Sequence, residues 1–530
     1  MFAGADPRRA ANDHPAGTRS TNVSRRRRHS LFLPSMRAWV SGRLASESVS
    51  QKRPATSDSC SPPCISSINT TRRRTRMEVA KQACVDGSSS DDNTLLRKAY
   101  ASAQWRILPI LFGLWMLAWV GRSNVAFAKL QMVVDLRFSE TVYGLGAGLF
   151  FVGYVLFGVP TTILQKKFGA RAVLAGIACA WGVTSVAMTF VNSAPTFYAL
   201  RFLLGVFEAG FYPGVVLYFN AWFPGKRRTR NFSMFHSGSL FSTVAIGLTG
   251  GFVLEHMNGL AGFQGWRWMF FTQAIPTVVL ACVAFAILPD LPGNAKWLSA
   301  RQRKLVEDDL RNNAEAMDDA GVDERPLLLN PTVWILSAAY FSLLAATAAL
   351  FFFSPTILRE AGFGGYKEIG RAVAGACVLG ALGNVLICSI GGAPHRRRLF
   401  CALAAVFTAA SLSTLVFVWH SSTTATFFLL VLGFAGTGAG ITLFWQMSVG
   451  LLSGKSLVVG VPLISSIANV AGFVTPFLIG HVRDVTGTYA SGFIMIACVQ
   501  ALGVVVLLFG VQRIVRRRLR VVDISVQSTT

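Results

Sequence analysis

Apolar residues in this chain gather in long runs separated by short polar stretches, with none of the strict alternation of half-buried strands. A helix rises about 1.5 Å per residue, so a run of about 18 or more apolar residues crosses the roughly 30 Å hydrocarbon core of a bilayer. Twelve such runs are legible, near 105–125, 141–164, 172–192, 196–222, 231–254, 268–288, 332–353, 368–391, 399–419, 425–451, 457–480 and 490–512. They are too long for the short alternating strands of a membrane barrel. The pattern predicts an all-α membrane protein with twelve transmembrane helices in two six-helix bundles.

The polar stretch 290–330 divides the spans six and six. The expected organisation is therefore a disordered basic tail over 1–100 and a first bundle over 101–289. A linker over 290–330, a second bundle over 331–513 and a basic tail over 514–530 follow. Within the linker, "LSARQRKLVEDDL" (298–310) places leucines at helical spacing among mixed charges, which predicts an amphipathic helix lying on the membrane face. The halves echo one another: "GLTGGFVLEHMNGLAGFQGW" (247–266) in the fifth span resembles "AGFVTPFLIGHVRDVTGTY" (471–489) in the eleventh. The basic turn "QKKFGAR" (165–171) has a counterpart in "GGAPHRRR" (391–398). A common six-span offset is what two parallel repeats produce, with a substrate site between them near the bilayer midplane.

Composition and charge sharpen this picture. Only 14% of the 530 residues are charged and 52% are hydrophobic, against about 25% charged in a soluble chain. The net charge of +25 would suit nucleic acid if it were concentrated on one folded face. Instead residues 1–76 hold fifteen Lys/Arg against four Asp/Glu, and much of the remainder recurs in alternate loops such as 166–171, 226–230, 301–304, 396–398 and 513–518. Intervening loops such as "VNSAP" (191–195) and "HSSTT" (420–424) are nearly uncharged. That alternation is the positive-inside signature, and it places both termini in the cytoplasm. Segment 1–76 admits three readings: a disordered tail or sequence upstream of a start at Met77, an organelle transit peptide, or a nucleic-acid-binding arm. The nine cysteines suggest no disulfide framework, and Cys60 and Cys64 in "CSPPC" lack the partners of a zinc site, so neither metal nor cofactor is expected.

Charges inside the apolar runs carry the candidate chemistry. An Arg or Asp at a helix centre costs about 2.5–3.5 kcal/mol on insertion scales, so it persists where it faces a bundle interior or a water-filled cavity. In "RFLLGVFEAGFYPG" (201–214), Arg201, Gly205, Glu208 and Tyr212 share one helix face. Arg201 and Glu208 are about 10 Å apart along the axis, too far to pair directly. Each needs another partner or a ligand, or both belong to a charge network that only holds the bundle together. Arg122, in "WVGRSNVAFAKL" (119–130), reads either as an anion-binding guanidinium or as a snorkelling arginine near the membrane surface, with Asn124 beside it. Arginine holds a carboxylate bidentately without losing its charge. A glutamate beside it supplies a titratable group, and together they are the least that anion–proton symport requires.

"GRSNVAFAKL", "FFVGYVLFGVPTTILQKKFGAR" (150–171), "YALRFLLGVFEAGFYPGVVLYFNAWFP" (198–224), "GWRWMFF" (265–271), "LPDLPGNAKWLS" (288–299) and "NVAGFVTPFLIGHVRDVTGTY" (469–489) closely resemble the anion:cation symporter family of the major facilitator superfamily. The family includes bacterial permeases for galactonate, tartrate, phthalate and similar acids, and the resemblance covers about residues 100–515. It implies the major facilitator fold and import of a small organic anion with protons by alternating access. It also implies a monomer in a bacterial inner (plasma) membrane, with no nucleic-acid partner. Residue by residue, it implies that Arg122 grips the substrate carboxylate, Arg201 belongs to the same polar network, Glu208 couples protons and Tyr154 contacts substrate. Trp445, Ser465 and Asn469 would be the second bundle's share of the pocket. Tyr154 reads equally as an aromatic packing residue, and those last three as helix-packing residues; His236 and Ser239 carry a weaker signal.

Two departures stand out. Many bacterial members place an aspartate before the first-span arginine, where this chain has Gly121, which implies fewer protons per substrate with Glu208 titrating alone. The second-half repeat turn also lacks its usual acidic residue. An enzyme is not expected, since HExxH, P-loop and GxSxG motifs are absent; "GTGAGI" (436–441) lies in an apolar run without a preceding strand and suits close helix packing. A channel would call for repeated rings of charge, and a transport-deficient sensor would have lost residues that are present here. An organic-anion uniporter or antiporter remains the competing class, because Gly121 weakens proton coupling.

Overall fold

A computed structural model describes residues 70–315, 330–393, 395–451 and 455–514. Twelve helices among them are long and apolar enough to cross a membrane. The first six are Asp91–Asp135, Glu140–Gly158, Ala170–Phe190, Ala194–Trp222, Arg227–His256 and Gly265–Ile287. The second six are Pro331–Glu360, Tyr366–Gly391, Arg397–Val418, Thr423–Ser448, Gly460–Thr486 and Ala490–Ile514. They are numbered one to twelve below.

The first span departs from its expected bounds. It continues to Asp135, well beyond the expected end near 125, and the residues before it are helical from Thr70. The "CSPPC" motif, residues 1–69 and the segment 515–530 lie outside the described residues. In the linker, Ala300–Glu315 is the expected helix. It buries Val306 and is held to the start of span one by Tyr100, whose hydroxyl donates to Asp309 Oδ2 at 2.7 Å, and by an Arg301–Asp92 pair at 2.6 Å.

Glycines decide which spans touch. Span two carries two sets on different faces. A Cβ on Gly153 would run into the Phe202 carbonyl, and one on Gly146 into the Phe197 ring, so this face needs bare backbone against span four. A Cβ on Gly144 would strike the Pro476 carbonyl, and one on Gly148 would lie 2.8 Å from the Phe473 carbonyl, so the other face needs it against span eleven. In the same way Gly247 and Gly370 each meet the other's backbone where span five crosses span eight. These are small-residue helix contacts of the kind that drive packing in lipid, where no hydrophobic effect pulls helices together. The stretch "GTGAGI" behaves likewise: Gly436, Gly438 and Gly440 sit within span ten and face Thr408, Asn384 and Leu343.

Contacts between the two halves run mainly through spans two with eleven and five with eight. The closest of them lie toward the face opposite Arg171, Arg227 and Arg301. There each half caps a helix of the other. Asp484, ending span eleven, accepts from the Glu140 and Thr141 backbone N–H groups (3.1 and 2.7 Å) and from the Thr141 hydroxyl (2.5 Å). Glu255, ending span five, accepts from the Lys367 N–H at the start of span eight (2.9 Å). Carboxylates at helix N-termini satisfy otherwise orphaned donors and favour the dipole. Lys129, buried in span one, completes the seal by pairing with Glu140 at 2.7 Å and donating to the Tyr489 hydroxyl at 2.9 Å. Hydrogen bonds to charged groups contribute about 1.5–3 kcal/mol net. Asp484→Ala is therefore expected to speed hydrogen exchange at the Glu140 and Thr141 amides by about tenfold or more, since ~1.4 kcal/mol is a factor of ten. Unchanged protection there would show that the cap contributes nothing to closure.

Candidate functional site

Span four is broken where the chemistry lies. Its first helix runs Ala194–Glu208 and its second Phe211–Trp222. Pro213 has no N–H to offer the Ala209 carbonyl four residues earlier, and its ring crowds that carbonyl, so the ladder lapses just after Glu208. Gly210 lets the break sit close against span two, where a Cβ would run into Thr161. Gly205, on the same face as Glu208, packs against the Phe150 carbonyl with no room for a side chain. The result is a glutamate at the end of a half-helix, pressed toward Phe150 and Tyr154.

Arg122 of span one meets it there. Its Nε donates to Glu208 Oε1 at 2.5 Å, and its Nη2 lies 2.5 Å from the same oxygen. The two residues are 8% and 4% exposed. The snorkelling alternative for Arg122 falls, because the helix carries on to Asp135 and the guanidinium points across the bundle to span four. Four rings surround it, with centroids at 4.8 Å (Tyr154), 5.0 Å (Trp119), 5.1 Å (Phe150) and 5.9 Å (Trp115). Cation–π attraction of this kind is worth about 2 kcal/mol or more per contact when desolvated. The Tyr154 ring stacks in turn on Phe150, with centroids 6.0 Å apart.

Arg201, also expected among the substrate-binding residues, lies on the span-two side of Phe150. It is 0% exposed, and its Nε and Nη2 each donate at 3.3 Å, to the carbonyls of Gly146 and Ala147 in span two. The Phe150 ring lies between the two arginines, 5.1 Å from Arg122 and 5.3 Å from Arg201. Arg201 thus ties span four to span two through those carbonyls, while its Nη1 is buried without a hydrogen-bond partner. The absence of a direct Arg201–Glu208 pair is as the helix spacing required.

In the second half, Trp445 packs against a residue that the sequence does not single out. Tyr340 of span seven stacks on Phe444 (4.9 Å, 4° between planes) and meets Trp445 edge-on at 5.0 Å. Ser465 and Asn469 share one face of span eleven, and Asn469 Nδ2 donates to the Ser465 carbonyl at 2.8 Å. Among the described residues no hydrogen bond or ion pair links either of them to Arg122. His236 is exposed at mid-span, yet its ring lies against buried Trp115 and half-buried Tyr212. Ser239 donates to the His236 carbonyl at 2.9 Å.

The residues missed were Trp115, Phe150, Tyr340 and Lys129. Trp115 and Trp119 precede Arg122 by seven and three positions, so all three fall on one helix face, and that spacing was available in the sequence. Lys129, a lone cation in an apolar run, was available too. Tyr340 sits among alanines and leucines with no local signal. Among the described residues, no group of three or more His, Cys, Asp or Glu side chains gathers as a metal site.

Known proteins resemble this chain along most of its length. The family model described as Major Facilitator Superfamily matches residues 111–476. A proposed metabolite transport protein of Pseudomonas putida, NicT, is 35% identical over 410 residues, covering 77% of this chain and 94% of its own. A proposed tartrate transporter of Agrobacterium vitis is 36% identical over 397 residues, covering 74% of this chain and 90% of its own. Among solved structures, a bacterial homologue of the human lysosomal transporter Spinster overlays with a TM-score of 0.64 at 15% identity, covering 78% of this chain and 97% of that one. Twelve apolar spans, two halves joined through spans two, five, eight and eleven, and these relatives converge on one conclusion: the chain belongs to the major facilitator superfamily and is an integral membrane transporter, not an enzyme.

Proposed function

We propose that this transporter imports a small organic anion together with protons by alternating access. The observation that carries the reading is the buried Arg122–Glu208 pair, which joins span one to the middle of span four. In a low-dielectric site the guanidinium must be compensated at every stage, because an unpaired buried charge costs several kcal/mol. Protonation of Glu208 leaves Arg122 without its counter-ion, and an incoming carboxylate restores neutrality. Departure of the anion returns Arg122 to Glu208 and releases the proton. One proton and one carboxylate therefore move as a balanced set. The tartrate transporter relative supports an organic anion as cargo. The basic face, carrying Arg171, Arg227 and Arg301, is assigned to the cytoplasm of a bacterial inner membrane, with both termini on that side and the protein acting as a monomer.

A uniporter or antiporter is the competing reading, and Gly121 is the reason for it. A Cβ at Gly121 has nothing within 4 Å, so a carboxylate fits there without repacking. In proteoliposomes, an acid exterior is expected to drive accumulation of a transported acid at one proton per carboxylate, and Gly121→Asp to raise that ratio toward two. Proton uptake and labelled-acid uptake measured together in the same vesicles give the ratio. Uptake indifferent to the gradient beyond its voltage dependence selects the uniporter, and a ratio of two in the native protein excludes Glu208 as the lone titrating group.

A further inference from the structure

Away from Arg122, the second half leaves a hollow in its own wall. Spans seven, eleven and twelve border a cavity of about 310 Å³, lined among others by Trp334, Ser337, Phe341, Ile467, Val499 and Leu502. It reaches the surface of the bundle, where Trp334 is 52% and Leu502 66% exposed. Gly503 brings span twelve hard against span seven, since a Cβ there would run into Ser342. Span twelve then widens into a π-helix over Val506–Gly510, a departure from the regular ladder that recurs at functional sites.

All three helices place the cavity in the same leaflet. Ser337 lies six residues from the start of span seven, Ile467 seven from the start of span eleven, and Val506 eight before the end of span twelve. At about 1.5 Å per residue these depths are about 9–12 Å, each measured from the face that carries the basic loops. The headgroup layer on each side of the hydrocarbon core is about 5–7 Å deep. The cavity therefore begins under the headgroups and runs into the hydrocarbon. Trp334, in the first turn of span seven, sits where amphipathic rings collect at a membrane surface.

Apart from that indole and two serines, the lining is carbon. Ser342 satisfies itself by donating to the Ala339 carbonyl at 2.9 Å. Ser337 does not: it is 1% exposed, and its Oγ has no hydrogen-bond partner. A buried hydroxyl without a partner is costly. An apolar cavity stays dry, so the missing acceptor has to arrive on a molecule that is otherwise apolar. At the headgroup end of span twelve Arg513 is exposed, and the sequence goes on with Arg516, Arg517 and Arg518. Basic clusters directly past a membrane helix attract anionic lipid headgroups. A carbon-walled slot, a lone donor near its mouth and cations above it correspond to an acyl chain, a glycerol ester carbonyl and a phosphate.

We propose that this cavity binds one anionic phospholipid from the leaflet on the basic face. An acyl chain lies against Phe341, Ile467, Val499 and Leu502, an ester carbonyl accepts from Ser337 Oγ, and the phosphate sits beside Arg513. A zwitterionic lipid brings an ammonium group that the arginines repel, so the site discriminates by headgroup charge.

Native mass spectrometry of the full-length protein tests this, after release from nanodiscs of equal parts phosphatidylglycerol and phosphatidylethanolamine. One retained phosphatidylglycerol per chain is expected, favoured at least fivefold over phosphatidylethanolamine. Ala338→Phe and Leu502→Trp, both at exposed positions of the lining, are each expected to lower that retention at least fivefold without repacking the core. Arg513→Gln is expected to cut the headgroup preference to twofold or less. Arg396→Gln, at an exposed arginine just before span nine, should leave it unchanged. Equal retention of the two lipids by the native protein overturns the proposal, since it describes solvating lipid alone. Retention undiminished in both cavity variants places the lipid elsewhere and overturns it too, as does a preference that survives Arg513→Gln. A dimer that the cavity variants split would make this a face for a second copy of the chain instead.

Discussion

Replacement of Glu208 by glutamine is expected to abolish gradient-driven accumulation while sparing counterflow exchange. Glutamine keeps the length of the side chain and still offers one oxygen to Arg122, so the break in span four and the packing against Phe150 persist. What vanishes is the carboxylate that pairs with Arg122. With no proton to bind, the site loaded with anion and the site without it differ by a full charge, and the outer pH no longer biases one over the other. Accumulation against a gradient should fall to background. Exchange of labelled for unlabelled anion across the membrane should continue, because both directions use the loaded form. Breaking a buried pair costs about 3–5 kcal/mol, so the variant should also unfold at lower temperature and be rescued in part by bound anion. Persistent uphill accumulation would remove Glu208 from proton coupling. Loss of exchange as well as accumulation, in protein that remains folded, would make the pair a structural brace.

The twelve spans could be read because each is a run of apolar residues longer than any soluble helix needs. Their ends could not, and span one shows why. Hydropathy fades after about residue 125, where Lys129, Gln131 and Asp135 enter, yet the helix goes on. Those polar groups face protein: Gln131 Nε2 donates to the Leu254 carbonyl and its Oε1 accepts from the Trp266 N–H, both at 3.0 Å. A composition window records polarity without knowing that a neighbouring helix satisfies it. The same limit governs the site. That Arg201 and Glu208 cannot pair follows from helix geometry; that one turns to span-two carbonyls and the other to Arg122 depends on how glycines let the helices approach. The resemblance to symporters singled out Arg122, Tyr154 and Glu208, which the fold does bring together, and Ser465 and Asn469, which it leaves bonded to each other. The aromatic packing was half legible: the Trp115, Trp119, Arg122 stripe is a matter of spacing, whereas the Tyr340–Trp445 contact joins two spans far apart in sequence.

Alternating access requires the tight contacts on the face away from the basic loops to open, and glycines make those contacts possible. At Gly144 any side chain would collide with the Pro476 carbonyl, and at Gly370 with the Gly247 carbonyl, so in both cases backbone meets backbone and no rotamer offers relief. Overpacking of this kind costs about 1–3 kcal/mol and occasionally more, which shifts a two-state equilibrium by roughly 5–150-fold. Gly144→Leu combined with Gly370→Leu is therefore expected to hold that face open and suppress transport by at least tenfold. The void beneath the seal, lined by Ser123, Phe127, Phe351 and Ser354, provides a reporter. With Ser354→Cys introduced where the native cysteines have been replaced, a membrane-impermeant thiol reagent applied outside should label slowly in the native background and at least tenfold faster in the double leucine variant. Gly176→Ala, at a position where a Cβ meets nothing within 4 Å, should label as slowly as the parent. If the leucines leave both labelling and transport unchanged, these crossings are not the gate, and the caps at Asp484 and Glu255 would have to close the pathway without them.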